Sequence, residues 1–527
     1  MPTTVVFSRR KCKNGAPDVH PPDCYPPSPS SHVRIVGYGV NSWSHAKYGL
    51  LSKEDAEEDA KLIESAAFVA ASQHFDKDPD SDGGSAVQLY AKESSKLMVQ
   101  VIKRGSRGKD DRETIIPELV TLPSDHETVF DISGGRRAFI EAEEAKELLK
   151  PLKESGNKYT KICFSNRSFG LPAGHVAASI LSAMKDQLTD VDFSDIVSRR
   201  PEPEAVEVMR MLSSALDGSN LNYLNLSNNS LGERGIRAFG DLLKSQKNLV
   251  ELYLMNAGIS EHAAKALREL IPSTNKIKIL HFHNNVTKDE GAVAISQIVK
   301  ESPNLEDFRC SSTRVGSAGG IALSESLQNS TLMKKLDLRD NMFGPQSGVA
   351  LGRALSVPVK LTEVYLSNLR LEDEGVTAIV NGLKGSASAL EILDLAGNSI
   401  TSEAAAAVAA CITSKKHSLT KLNLSENELK DAGAMVIGEA LEGDFGRLNI
   451  VDLSSNGIRA GGATALAKAV VGKPEFRMLN INGNFLSNKG VEDVREIFKN
   501  SPRMLGSLDD NDPNGKDDDD GDNNHDA

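Results

Sequence analysis

The stretch LNYLNLSNNSLG, residues 221–232, decides the fold of this 527-residue chain. It reads as the pattern L-x-L-x-x-N, in which Leu224 and Leu226 alternate with polar residues and Asn229 follows. The last position of the same frame falls at residues 229, 257, 285, 313, 341, 369, 398, 427, 456 and 484. Two earlier copies end the frame at residues 167 and 196. A register kept over so long a stretch indicates a repeat architecture.

Each copy of the frame predicts one strand and one helix. The L-x-L segment is a short strand, the frame Asn satisfies backbone groups in the turn after it, and a helix such as GERGIRAFGDLLKSQ (232–246) follows. A single copy cannot bury its apolar face alone, so the copies stack. The sequence therefore predicts an α/β leucine-rich-repeat solenoid, a ribonuclease-inhibitor-like arc of about twelve repeats with strands inside and helices outside. A small helical domain is expected before it.

The composition changes along the chain and predicts six segments. Residues 1–46 are rich in proline and are expected to be disordered, whereas apolar residues at helical spacing follow them. The predicted segments are a disordered arm at 1–46, a helical targeting-type domain at 47–105, a linker at 106–128, an N-terminal cap of the solenoid at 129–157, the leucine-rich repeats at 158–507 and an acidic tail at 508–527.

The charge balance excludes some classes of partner. The formal net charge is −12, and residues 509–527 hold nine Asp against one Lys. Binding to nucleic acid needs clustered Lys and Arg, so a basic protein is the better partner. The longest apolar run, residues 404–412, is far shorter than the roughly 20 residues of a membrane-spanning helix, so no membrane insertion is expected.

The sequence contains none of the usual catalytic motifs. G-x-x-x-x-G-K-[ST], G-x-G-x-x-G, H-E-x-x-H and G-x-S-x-G do not occur. His281 and His283 flank one strand, but no Cys or carboxylate stands at metal-ligand spacing beside them, so we interpret them as polar residues of the inner face. We expect no cofactor and no metal, and a protein that is not itself an enzyme.

Two sets of polar residues follow the repeat and are candidates for partner binding. The residues just before the frame position form a polar row along the rim: Asn228, Asn256, Asn284, Ser312, Asp340 and Asn368. These residue types also suit a tight turn, which is an alternative explanation for each of them. Between the two Leu positions of each strand, the concave surface carries a strip that includes Tyr253, Arg309, Asp337 and Tyr365, and we predict that these four bind the partner.

Several longer runs resemble one known family. KYGLLSKEDAEEDAKLIE (47–64), TKICFSNRSFG (160–170), KKLDLRDNMFG (334–344) and LNINGNF (479–485) are similar to runs of the plant Ran GTPase-activating proteins. The resemblance covers residues 47 to about 512. It implies that the protein binds Ran in its GTP form and accelerates hydrolysis, which supports nucleocytoplasmic transport and mitosis.

The resemblance also implies which residues act. The arginine that the family requires lies in SDIVSRR (194–200) and matches Arg200, and its functional asparagines and aspartate match Asn229, Asn256 and Asp340. The family is thought to insert no arginine finger and instead to fix the glutamine and switch regions of the GTPase. Such ordering is physically sufficient, since GTPase activators contribute about 10³- to 10⁵-fold.

The N-terminus departs from the family. The family begins with a Trp-Pro-Pro motif that docks on nuclear-envelope partners, but here Ser44 and His45 follow Trp43. The tripeptide is absent, so we expect the motif to be missing, docking through residues 47–105 to be weak, and the protein to be cytoplasmic, with at most some of it at the outer nuclear envelope.

Two other classes remain as alternatives. A passive leucine-rich-repeat scaffold or inhibitor would bind an enzyme without needing a particular rim Asn or Arg. An innate-immune receptor would carry a nucleotide-binding domain before the repeats, and residues 1–158 contain no P-loop.

Overall fold

The computed structural model describes residues 128–512, except residues 135–136 and 358–359. The predicted arm at 1–46, the helical domain at 47–105 and nearly all of the linker at 106–128 lie outside the described residues.

A parallel sheet runs through the whole described part of the chain. The strands are β1 (Val129–Asp131), β2 (Ala138–Ile140), β3 (Lys161–Cys163), β4 (Arg167–Phe169), β5 (Asp190–Asp192), β6 (Tyr223–Asn225), β7 (Glu251–Tyr253), β8 (Ile279–His281), β9 (Asp307–Arg309), β10 (Lys335–Asp337), β11 (Glu363–Tyr365), β12 (Ile392–Asp394), β13 (Lys421–Asn423), β14 (Ile450–Asp452) and β15 (Met478–Asn480). The order in the large sheet is β1-β3-β5 and then β6 to β15 in sequence, while β2 and β4 form a separate parallel pair.

Helices connect successive strands. They are α1 (Ala142–Leu148), α2 (Leu171–Met184), α3 (Glu202–Ala215), α4 (Gly232–Ala238), α5 (Gly240–Ser245), α6 (Glu261–Leu270), α7 (Lys288–Lys300), α8 (Ser317–Ser326), α9 (Gly344–Leu355), α10 (Glu372–Gly385), α11 (Ser402–Ser414), α12 (Lys430–Leu441), α13 (Ala460–Val470) and α14 (Asn488–Ile497). Short 3₁₀ turns occupy Lys150–Lys153, Leu327–Asn329 and Pro502–Met504. None of the helices in the described residues is both long and apolar enough to span a membrane.

The core lies between the sheet and the helices. In a three-residue strand the middle side chain faces one side and its two neighbours face the other. The middle residues, such as Leu224, Leu252 and Leu336, are fully buried, and the flanking side chains form a mostly polar surface that we call the strand face. This alternation of parallel strands and helices, in register with the sequence frame, confirms the predicted leucine-rich-repeat fold.

A ladder of buried asparagines closes the turn after seven of the ten strands from β6 to β15, and Ala257, Thr313 and Leu369 hold the frame position after the other three. Asn285 is typical: its Oδ1 accepts from the backbone N–H groups of Ala257 at 3.1 Å and Ile259 at 2.9 Å, and its Nδ2 donates to the carbonyl of Leu254 at 2.8 Å. The amide thus satisfies backbone groups that the turn leaves without partners. The frame Asn therefore has the role that the sequence predicts.

The repeat frame extends beyond the predicted end of the solenoid. The backbone N–H of Asn484 donates to Asn511 Oδ1 at 2.9 Å, so that Asn511 occupies the next position of the asparagine ladder. Asn482 Nδ2 also donates to Asp510 Oδ2 at 2.6 Å. The predicted boundary at residue 508 therefore differs from the structure, because residues 508–512 complete the last turn of the stack.

Candidate functional site

The rim row occupies turns with an unusual backbone conformation. All six of its residues have positive φ, between 48° and 62°. This left-handed region favours Asn, Asp and Gly, because a short polar side chain tolerates it better than a bulky one. Turn geometry therefore explains the residue types, and it also places five of the six side chains in an exposed position and leaves Ser312 half-buried.

The first three members of the rim row form a hydrogen-bonded set, which we call the amide triad. Asn284 Nδ2 donates to Asn256 Oδ1 at 3.0 Å, and Asn256 Nδ2 donates to Asn228 Oδ1 at 3.0 Å. The donation runs in one direction along the rim. Asn256 is therefore the central member, with one neighbour as its donor and the other as its acceptor.

The last three members form a second set, which we call the carboxylate triad. Asp340 accepts from Ser312 Oγ at 3.2 Å through Oδ2 and from Asn368 Nδ2 at 3.0 Å through Oδ1. The triad ends at Gly397, where a Cβ would lie 2.0 Å from Asn368 Oδ1. The two predicted residues Asn256 and Asp340 are thus each the centre of a triad, which the spacing alone does not reveal.

Asn229 is buried, whereas direct contact with a partner requires an exposed side chain. It is 5% exposed and belongs to the asparagine ladder, where its Nδ2 donates to the carbonyls of Phe193 at 2.7 Å and Leu226 at 3.1 Å. Its Oδ1 accepts from the backbone N–H of Ile196 at 2.8 Å. These bonds occupy the amide, so Asn229 supports the turn, and its neighbour Asn228 is the residue that the rim exposes.

Arg200 fastens the N-terminal cap to the first repeats. Its guanidinium donates to Glu141 Oε1 at 2.7 Å and to the carbonyls of Ser168 at 2.9 Å and Ile140 at 3.3 Å. It also lies 5.2 Å from the ring centre of Phe139. The side chain is 11% exposed. In this arrangement Arg200 holds β2, β4 and the start of α3 together rather than reaching toward a partner.

A cavity connects Arg200 with the amide triad. It has a volume of about 520 Å³ and lies between the starts of α3 and α4, with Arg200, Asn228 and Asn229 in its wall. The exposed Arg199 and Arg234 line it too. The structure therefore brings Arg200, Asn229 and, through Asn228, Asn256 into one continuous part of the rim, and it places Asp340 three repeats further on.

The strand face carries an aromatic and charged cluster beside the amide triad. The Tyr253 ring lies 5.2 Å from Tyr223 and 4.9 Å from His281 between centres, and its hydroxyl donates to Glu251 at 2.7 Å. Arg309 makes two hydrogen bonds to Asp307, at 3.1 and 3.0 Å. Tyr253 and Arg309 are half-buried, so a partner can contact the exposed part of each side chain.

Asp337 does not offer its carboxylate to a partner, contrary to the sequence-based expectation. It is 5% exposed and receives two hydrogen bonds from Arg339, at 3.0 and 2.8 Å. The Arg339 guanidinium in turn lies 4.8 Å from the ring centre of Tyr365, which places a cation over an aromatic face. The strip thus presents Arg339 and Tyr365. The repeat frame does not single out Arg339, although the i, i+2 spacing of Asp and Arg, repeated in Asp307 and Arg309, is a usable signal.

The cluster fixes the charge state of its groups. Burial would raise the pKa of Asp307, but two neighbouring groups outweigh this effect and hold the pKa at about 2. They are His281, whose Nε2 lies 3.1 Å from Asp307 Oδ1, and the Arg309 guanidinium. Burial lowers the pKa of His283, and the nearby His281 lowers it further. Burial raises the pKa of Tyr253 and Tyr365, so both phenols stay protonated and donate to glutamates.

Within residues 128–512, the described His, Cys, Asp and Glu side chains form no group of three or more that could hold a metal ion.

Family comparisons match both parts of the chain. A WPP domain model matches residues 28–112. Leucine-rich-repeat models match residues 220–242, 388–409, 415–438 and 448–467. The expectation that the N-terminal motif is missing is therefore wrong at the level of the domain. The match spans Trp43, Ser44 and His45, so the absence of the literal tripeptide does not remove the WPP domain.

Two further comparisons are partial. MFP1 attachment factor 1 from Solanum lycopersicum is 35% identical over 87 residues, which are 16% of this chain and 56% of that protein. Among solved structures, an internalin from Listeria monocytogenes is 13% identical with a TM-score of 0.41, and the match covers 70% of this chain and 95% of that chain.

Two curated relatives match nearly the whole chain. RAN GTPase-activating protein 2 from Arabidopsis thaliana is 58% identical over 497 residues, 93% of this chain and 91% of that protein. RAN GTPase-activating protein 1 from the same plant is 66% identical over 498 residues, 94% of this chain and 91% of that protein. Identity this high, extending from the N-terminal domain through the repeats, shows that the chain belongs to the family of RAN GTPase-activating proteins.

Proposed function

We propose that this protein accelerates GTP hydrolysis by the small GTPase Ran, and that Ran in its GTP form binds along the rim and the strand face. The observation that carries the proposal is the identity of 58% and 66% to two RAN GTPase-activating proteins over more than nine-tenths of the chain. In this proposal the protein is an activator, and the GTPase itself carries out the hydrolysis.

The mechanism we propose is ordering of the GTPase's own catalytic glutamine and switch regions. The geometry of Arg200 supports it, because a guanidinium that holds Glu141, Ile140 and Ser168 would have to break those bonds to act as an arginine finger. Asn256 and Asp340 are exposed, and hydrogen bonds fix them on both sides. A side chain held in this way positions a group of a bound partner at little further entropic cost.

The direct test is a single-turnover assay with Ran loaded with GTP, with and without the full chain. We expect an acceleration of about 10³-fold or more, as is usual for GTPase activators. An unrelated small GTPase serves as the control. Binding to Ran without acceleration would instead support the passive scaffold.

We also propose that the WPP domain attaches the protein to an anchoring partner at the outer nuclear envelope, with the repeats in the cytoplasm. The match at residues 28–112 and the attachment-factor relative support this placement. Imaging of the tagged full chain tests it, with a variant that lacks residues 1–112 as the control. A nuclear rim signal that depends on those residues is expected, and an equal diffuse signal from both proteins would contradict the proposal.

A further inference from the structure

We infer that Asn284 is a positioning residue that sets which way the Asn256 carboxamide faces, and that Asn228 contributes only as an acceptor. The inference rests on the proposed function, since the orientation of Asn256 matters only if this amide contacts the GTPase. It goes further by assigning unequal roles to two residues that have the same type, exposure and backbone conformation.

The direction of the hydrogen bonds carries the inference. A carboxamide has two N–H donors and an oxygen with two acceptor sites. The amide triad uses one N–H of Asn256, which is donated to Asn228, and one acceptor site, which is filled by Asn284. One donor and one acceptor site remain for a partner. If this amide alone turned over, its NH₂ group would face the NH₂ group of Asn284 and its oxygen would face the oxygen of Asn228, so both bonds would be lost.

An exposed asparagine has no such constraint by itself. The terminal torsion of Asn is broad and nearly two-fold, so a free carboxamide at the surface samples both orientations. Exposed side chains exchange rotamers within nanoseconds. The flanking residues restrict this freedom, because a reversal of Asn256 would lose both bonds unless Asn284 and Asn228 turned over with it. Asn256 is thus preorganised before the GTPase arrives.

Asparagine-to-aspartate substitutions on the two sides form a matched pair. Asp tolerates the left-handed backbone as Asn does, and each change adds one negative charge. The two positions lie on opposite sides of Asn256, each one repeat away. An ionised carboxylate only accepts hydrogen bonds. Asn228→Asp therefore keeps the bond from Asn256 Nδ2, whereas Asn284→Asp places a carboxylate oxygen against Asn256 Oδ1 and favours the reversed amide.

A third variant tests whether the donor itself is what matters. Ser312 shows that serine adopts the same left-handed turn and donates from the rim to its neighbour, in that case Asp340. Asn284→Ser therefore retains a donor without adding a charge. If Asn284 acts by donating, serine should restore most of what aspartate removes.

The experiment is the single-turnover Ran assay at a series of activator concentrations, which separates the maximal rate from half-saturation. We expect the maximal rate of Asn284→Asp to lie about tenfold below that of Asn228→Asp, which carries the same added charge, and Asn284→Ser to recover at least half of that difference. Thermal unfolding should be the same for all three variants, because exposed rim side chains contribute little to burial.

The outcomes separate the inference from the proposed function. An unsubstituted protein that does not accelerate hydrolysis overturns the proposed function, and the inference falls with it. An active protein in which the two aspartate variants lose equal activity shows an effect of charge and overturns the inference alone. An active protein in which neither variant differs from the unsubstituted one, or in which serine at position 284 is as damaging as aspartate, overturns it as well.

Discussion

Asn368 donates to one carboxylate oxygen of Asp340 at 3.0 Å, while the other oxygen accepts from Ser312 at 3.2 Å. Both neighbours donate in this structure, so each carboxylate oxygen of Asp340 holds one hydrogen bond. An amide has only one oxygen to offer. The carboxylate is therefore suited to its place by its hydrogen bonds as well as by its charge.

Asp340→Asn should lower the maximal single-turnover rate about tenfold while the thermal midpoint changes little, since the residue is exposed and the change removes its charge and one of its two acceptor atoms. Glu426→Gln is the matched control. Glu426 is an exposed acid in the same left-handed turn three repeats further on, so this change also removes one charge. A similar loss in both variants would point to net charge instead of a local role for Asp340.

Arg200→Lys should destabilise the N-terminal cap. A lysine cannot reproduce the contacts to Glu141, Ser168 and Ile140 together, because it lacks the planar fork of the guanidinium. The lost hydrogen bonds predict a decrease of about 1 to 3 kcal/mol in the free energy of unfolding, measured with urea. Arg199→Lys, in the exposed neighbour, is the control and should leave the free energy unchanged. Lost activation at full stability in the Arg200 variant would instead indicate that Arg200 contacts Ran.

Asn229→Ala should act through folding. The change leaves the N–H of Ile196 and the carbonyl of Phe193 without their partner in a buried turn, which predicts a loss of about 2 to 3 kcal/mol in urea unfolding. Asn256→Ala exposes no buried group, but it places alanine in a left-handed turn, so it should cost only about 1 kcal/mol. Equal stability of the two variants would contradict the assignment of Asn229 to the asparagine ladder.

The pH dependence of stability should contain a contribution from Asp307. Its pKa of about 2 in the folded protein lies below the usual 3.8. Because folding lowers this pKa, ionised Asp307 stabilises the folded state at pH values above the pKa of the unfolded chain. This contribution is lost as the pH falls from about 4 towards 2. The shift corresponds to about 2 kcal/mol. Urea unfolding from pH 5 to 3 should show a shallower decrease in Asp307→Asn, and identical slopes would exclude this contribution.

The regular part of the molecule could be predicted from the sequence, because the period of 28 or 29 residues fixes the strand and the turn of each repeat, and the place of the buried Asn where the repeat has one. The rim row followed from the same frame. Its division into two triads did not, since it depends on which atom of each side chain donates. Two other contacts could not be predicted from the repeat period either. Arg339 covers Asp337, and Glu141 anchors Arg200.

Deletion of residues 513–527 should slow association with Ran at low salt. These residues carry six Asp and one Lys, and the deletion spares Asp510 and Asn511, which complete the last turn of the stack. A negative segment attracts a basic partner surface, and this attraction is screened as ionic strength rises. Stopped-flow association rates of the full and shortened chains should therefore differ near 20 mM salt and converge near 0.5 M, where the screening length is only about 4 Å. Replacing the six Asp with Asn provides a control of unchanged length, and it should reproduce the deletion if charge is the cause. Equal association rates at low salt would exclude electrostatic steering by this segment.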